Sequence, residues 1–93
     1  MLEWDYKKAA SNLRKHGVDF DEAASCFDDP DVLMFHDVPH SAREDRYAAV
    51  AKSNRDRLLT MVFTIRRTKD GKKIYRIISA RHASKKDRKD YSR

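Results

Sequence analysis

The chain predicts an α+β fold, and three observations carry that prediction. Apolar residues recur at helical spacing only before Pro30, extended patterning dominates from residue 32 to residue 80, and no Pro-, Gly- or Ser-rich linker separates the two regimes. Helices grouped ahead of an antiparallel sheet, instead of alternating with strands, give an α+β domain whose sheet can leave one face open to a ligand. The chain has 93 residues, 40% of them hydrophobic, so one small core is expected and residues 1–93 read as a single domain.

Each element follows from local chemistry. Leu2 and Trp4 alternate with Glu3 and Asp5, which predicts a short first strand, and Asp5 then caps a helix carrying Ala9, Ala10 and Leu13. Gly17 ends that helix. Asp19 with Glu22 forms a capping-box-like start for a second helix, whose apolar stripe is Phe20, Ala23, Ala24 and Phe27. Asp28-Asp29-Pro30 stops it. Strands are expected at Val32 to Phe35, Tyr47 to Ala51 and Leu58 to Ile65, as a β-meander. Lys69-Asp70-Gly71-Lys72 supplies a tight turn, because Asp-Gly suits positive φ angles, and Ile74 to Ala80 returns as the last strand. Ser84 and Asp87 open a short basic helix, Lys85 to Tyr91. The predicted order is β-α-α-β-β-β-β-α.

Charge divides the chain unevenly. Residues 1–64 carry nine basic and twelve acidic side chains, a balance of −3, while residues 65–93 carry twelve and three, a balance of +9. Such a basic third suits a polyanion, since clustered cations release counterions from nucleic acid and steer its approach; a solvated tail or a surface for an acidic protein is the plain alternative. The one cysteine, Cys26, forms no internal disulfide and sits among Ala23, Ala24 and Phe27 as a small buried hydrophobe. No apolar run reaches the roughly 20 residues of a membrane span, and no basic-then-apolar leader opens the sequence, so a cytoplasmic location is expected.

Arg66, Arg67, Arg76, Arg81, Lys85, Lys86, Arg88 and Lys89 are the candidate RNA contacts. Strict alternation places Tyr75, Ile77, Ser79 and Arg81 on one face and Ile74, Arg76, Ile78 and Ala80 on the other, so Arg76 and Arg81 part company unless a bulge intervenes. Arg81, at a strand end beside the basic helix, is placed to grip phosphate bidentately or to bridge to the acidic half. The segment His40-Ser41-Ala42-Arg43-Glu44-Asp45-Arg46 gathers what RNA cleavage requires. A base must take the 2′-hydroxyl proton, a cation must stabilise the pentavalent phosphorus, and an acid must protonate the leaving 5′-oxygen. His40 or Glu44 suits the first role and Arg46 the second, though the same residues also make an ordinary polar loop. His82 is a candidate acid or an exposed strand-end histidine, and His16 suits a helix C-terminus. No histidine or cysteine spacing matches a closed zinc site, and no glycine-rich phosphate loop exists, so neither metal nor cofactor is expected.

Taken in order, Glu3-Trp4-Asp5, Lys8-Ala9, Asn12, Lys15-His16-Gly17-Val18, Phe20 and Glu22-Ala23 closely resemble the start of BrnT-type toxins. The resemblance continues through Phe27-Asp28-Asp29-Pro30, His40-Ser41, Glu44 and Arg46, and ends in Arg76-Ile77-Ile78-Ser79-Ala80-Arg81, Ala83, Arg88 and Tyr91. It implies a compact fold similar to RelE-type ribonucleases, RNA cleavage with translation arrest, and roles for Glu44, Arg46, Arg81 and Tyr91. It also implies a BrnA-like ribbon-helix-helix antitoxin that dimerises, giving a hetero-tetramer that meets operator DNA only through the antitoxin. His82 departs from the family pattern, where a second basic residue is common. The competing reading is a non-catalytic RNA- or ribosome-binding module, or a co-repressor acting within an antitoxin–DNA complex.

Overall fold

The computed structural model describes residues 1–37, 39 and 45–92. Strand β1 (Leu2–Trp4) leads into helix α1 (Tyr6–His16), helix α2 (Phe20–Ser25) and a 3-10 turn (Cys26–Asp28). Strands β2 (Leu33–His36), β3 (Asp45–Lys52), β4 (Leu58–Arg67) and β5 (Lys73–His82) follow, then helix α3 (Lys85–Tyr91). The element order is the one the periodicity predicts, with strand ends displaced by one or two residues.

The caps form as local chemistry requires. The Asp5 carboxylate accepts from the Lys7 N–H at 2.8 Å. Gly17 adopts φ +69° and donates to the Leu13 carbonyl at 2.9 Å, a left-handed turn that a Cβ would strain. Asp19 accepts from the Glu22 N–H at 2.7 Å. Only half of that expected box is used, because the Glu22 carboxylate turns inward to Ser53 Oγ (2.6 Å) and Arg57 Nε (2.8 Å), with a second Arg57 contact at Nη2. At α3 the box closes from both sides, Ser84 Oγ accepting from the Asp87 N–H and Asp87 from the Ser84 N–H.

One turn differs from expectation. The β4–β5 connection runs over Thr68–Lys72, and within it only Gly71 has positive φ, at +85°. Asp70 is instead held by Thr68 Oγ1, while the Gly71 N–H donates to the Thr68 carbonyl, so the loop is longer than a two-residue hairpin.

The five strands form one sheet in the order β1-β5-β4-β3-β2. The meander β2 to β5 is antiparallel, and β1 adds beside β5 in parallel, pairing Leu2–Trp4 with Tyr75–Ile77. Helices α1 and α2 cover one face, where Leu59, Met61, Phe63, Ile77, Ala80, Ala49 and Ala51 join Val18, Phe20, Ala23 and Cys26 in the core. Burial pushes the Cys26 thiol up to about 12, so it stays a thiol and packs as a hydrophobe. Asn12 stitches α1 to β5: its Nδ2 donates to the Val18 and Ala80 carbonyls, and its Oδ1 accepts from the Ala80 N–H at 3.0 Å. Three backbone groups that would otherwise be buried without partners are thereby satisfied.

A β-bulge in β5 has the largest consequence for the second face. Val62 pairs with Ser79 while Phe63 pairs with Ile77, leaving Ile78 as an extra residue. Ile77 and Ala80, three residues apart, therefore both face the helices. Arg76 and Arg81, five apart, both emerge on the opposite side, opposite Thr64 and Thr60.

Candidate active face

The sheet surface away from α1 and α2 is built from alternate residues of all five strands. One row runs Glu3 on β1, Arg76 on β5, Thr64 on β4 and Arg46 on β3, each the direct cross-strand partner of the next. Directly opposed Cβ atoms in such a sheet stand about 4.5–5.5 Å apart, so Arg76 and Arg46 flank Thr64 closely. Thr64 is 1% exposed and the Arg46 Nε is buried, so the Arg46 side chain packs along the sheet, while about a third of the Arg76 side chain is exposed. Arg66 emerges on the same face, two residues along β4.

Glu3 ties these arginines together. Its Oε2 accepts from Arg76 Nη1 and its Oε1 from Arg66 Nη2 at 3.2 Å. The Arg76 hydrogen bond, aided by Arg66, holds the Glu3 carboxyl below its usual range although partial burial opposes this.

A second row holds Arg81, Thr60 and Val50. Arg81 Nη1 lies 3.2 Å from Asp87 Oδ2, which also accepts from Thr60 Oγ1 at 2.7 Å. Asp87 thus fastens the start of α3 to the sheet, and half of the Arg81 side chain stays exposed. At the other end of α3, Tyr91 donates to Asp29 Oδ2 at 2.6 Å, and the same oxygen accepts from the Lys52 N–H. The Asp29 hydrogen bond and burial push the Tyr91 phenol up to about 12. It remains a donor at neutral pH, fixed against the acidic turn. Tyr91→Phe is expected to cost about 1 kcal/mol, a fall in melting temperature of roughly 4–8 °C readable by circular dichroism. None of the residues of α3 is buried, so polar tethers at its two ends hold it in place.

The predicted site residues therefore divide. Arg46, Arg66, Arg76 and Arg81 share one face, and Lys85, Lys86, Arg88 and Lys89 project from the helix fastened beside it, all four exposed. His82 pairs with Leu59 and Arg67 with Lys73, so both belong to the opposite, helix-covered side of the sheet. His40 and Glu44 lie outside the described residues. Glu3 escaped the sequence reading as a site residue, because nothing local marks a parallel pairing with a strand more than seventy residues away. Its alternation with the apolar Leu2 and Trp4, and its place at the start of the run that resembles BrnT-type toxins, were the available signals.

Among the described residues no three His, Cys, Asp or Glu side chains converge as metal ligands would, and no helix is long and apolar enough to cross a membrane. What the face offers chemically is fixed positive charge, with Arg66 and Arg76 gathered at the Glu3 carboxylate and Arg81 beside Asp87. Guanidinium groups bind the two free oxygens of a phosphodiester and stabilise the extra charge of a pentavalent phosphorus.

Comparison with known proteins places the fold and the family. No curated protein matches the chain. Among solved structures, the crystal structure of the ribonuclease toxin BrnT of Brucella abortus superposes with a TM-score of 0.64 at 26% identity, covering 91% of this chain and all of that one. The family model for the ribonuclease toxin BrnT of type II toxin–antitoxin systems matches residues 4–87, from the end of β1 to the Asp87 that fastens α3. With the match running over residues 4–87 of the 93, the chain belongs to the BrnT family of type II ribonuclease toxins.

Proposed function

We propose that this protein is a metal-independent endoribonuclease that arrests translation by cutting RNA, and that the sheet face centred on Arg46 and Arg76 is where it does so. The observation that carries the reading is the bulge at Ile78, which brings Arg76 and Arg81 onto the face that already holds Arg46 and Arg66. In this mechanism a phosphodiester seats on Arg46 and Arg76 across Thr64. The neighbouring 2′-hydroxyl attacks phosphorus, and the guanidinium pair takes up the charge of the pentavalent state, the part a divalent ion plays elsewhere. Arg66, Arg81 and the exposed cations of α3 guide the flanking backbone phosphates.

Membership of a type II toxin family supports a protein antitoxin as second ligand. A BrnA-like ribbon-helix-helix protein, dimeric and therefore carrying two toxins, is the partner proposed, with operator DNA contacted through that antitoxin alone. The reaction belongs in the cytoplasm, where messenger RNA and ribosomes are.

Incubation of purified protein with RNA in EDTA tests the reading. Fragments that accumulate with time, and that vanish in the Arg46→Ala, Arg76→Ala double variant, are expected. Intact RNA alongside binding that weakens steeply with salt points instead to a non-catalytic RNA-binding or co-repressor module.

A further inference from the structure

We infer that Glu3 is the general base of RNA cleavage, accepting the proton of the 2′-hydroxyl on the nucleotide whose 3′-phosphate Arg76 holds. The inference rests on the ribonuclease reading of the same face. Strand β1 is three residues long, and its parallel register on β5 sets Glu3 directly opposite Arg76. That places the Glu3 carboxylate, a quarter exposed, at the head of the row that continues through Arg76 and Thr64 to Arg46. Among the described residues, the other carboxylates near these arginines are committed elsewhere, Asp87 to Thr60, Ser84 and Arg81 at the foot of α3 and Asp5 to the Lys7 N–H at the start of α1. In RNA the 2′-oxygen and the 3′-phosphate stand on adjacent ribose carbons. A phosphate on Arg76 therefore carries its 2′-hydroxyl to the side chain next to Arg76, within reach of a carboxylate oxygen.

The atoms balance without any co-reactant beyond water. The O–H bond of the 2′-hydroxyl breaks and its proton passes to a Glu3 oxygen, while the 2′-oxygen bonds to phosphorus. The P–O5′ bond then breaks and the 5′-oxygen takes a proton from water. A 2′,3′-cyclic phosphate and a 5′-hydroxyl end result, and Glu3 returns its proton to solvent.

The two arginines also couple basicity to binding. In the free protein both donate to Glu3 and keep it ionised. When phosphate engages them, their hold on the carboxylate weakens and its proton affinity rises. The acid limb of kcat/KM, which reports the free protein, is therefore expected at lower pH than the acid limb of kcat, which reports the complex.

Steady-state cleavage of a short fluorescent RNA across pH 3.5 to 8 tests this. Glu3→Gln is expected to lower kcat by about 100-fold or more, change KM only a few-fold and erase the acid limb, while Glu3→Asp, which keeps a carboxylate, recovers part of the rate. Melting curves of both variants establish folding. Where Glu3→Gln does not fold, the order of the two acid limbs in the unsubstituted protein still decides. A Glu3→Gln protein with normal kcat, or one whose residual activity keeps the original acid limb while Glu3→Asp is no better, overturns the assignment and leaves Glu3 a structural partner of Arg76. Unsubstituted protein that leaves RNA intact overturns the ribonuclease reading itself.

Discussion

Replacing Arg76 with alanine is expected to reduce kcat/KM for RNA cleavage by roughly 100- to 1,000-fold, the usual loss when one preorganised charge donor is taken from a transition state. Arg46→Ala is expected to match it, since the two arginines flank Thr64 in one cross-strand row and the proposed mechanism has them serve one phosphorus. Because they act as a unit, the double variant should lose far less than the product of the two single losses. Lys85→Ala and Lys89→Ala provide the contrast: in the proposed mechanism each removes a cation assigned to the flanking backbone, so binding is expected to weaken a few-fold and the salt slope to shallow by about 1. Near-normal cleavage by folded Arg76→Ala protein would move the chemistry to another part of the molecule.

The second large effect is on stability. Glu22 is 3% exposed, and its carboxylate is held by Arg57 and Ser53 across 35 and 31 residues of chain. Arg57→Met keeps an apolar stem but leaves that buried carboxylate without its cation. The expected loss is about 3 kcal/mol, the low end for a broken buried pair because the arginine side faces solvent, or a melting temperature lower by roughly 12–24 °C. The hydrogen bond from Arg57 holds Glu22 below its ordinary value of 4.5. A depressed folded-state value contributes stability above pH 4.5, and that contribution is lost as pH falls through the folded value. In Arg57→Met the sign reverses, since burial without the cation raises Glu22 and makes its protonated form the favoured one. The gap in melting temperature between the two proteins should therefore narrow on acidification from pH 7 toward pH 4. A gap that stays constant with pH would show that Arg57 stabilises through packing alone.

Both results turn on contacts between distant residues, which is also where the sequence reading stopped. The capping aspartates, the left-handed Gly17, the Ser84–Asp87 box and the order of elements were all legible, because each depends on side chains within four residues of the backbone they satisfy. The basic third of the chain was legible as composition, and so was its suitability for a polyanion. The partners of Glu22 were not: a glutamate three residues after Asp19 reads locally as a cap, and only the docking of α2 on the β3–β4 turn directs it inward.

The candidate face shows the same division more sharply. Alternation assigned Arg76 and Arg81 to opposite sides, and one unpaired residue, Ile78, reversed that by shifting the pleat in mid-strand. Where Ile78 bulges depends on Ile77 and Ala80 both meeting the helix layer, a packing condition with no local signature. Likewise Glu3 meets Arg76 only because β1 chooses β5, 73 residues further along the chain, as its parallel neighbour. The sequence by itself determined which elements form and which charges they carry, since caps and periodicity are short-range. Tertiary structure decided which of those charges meet, because register, bulge and strand order are set by burying one shared core.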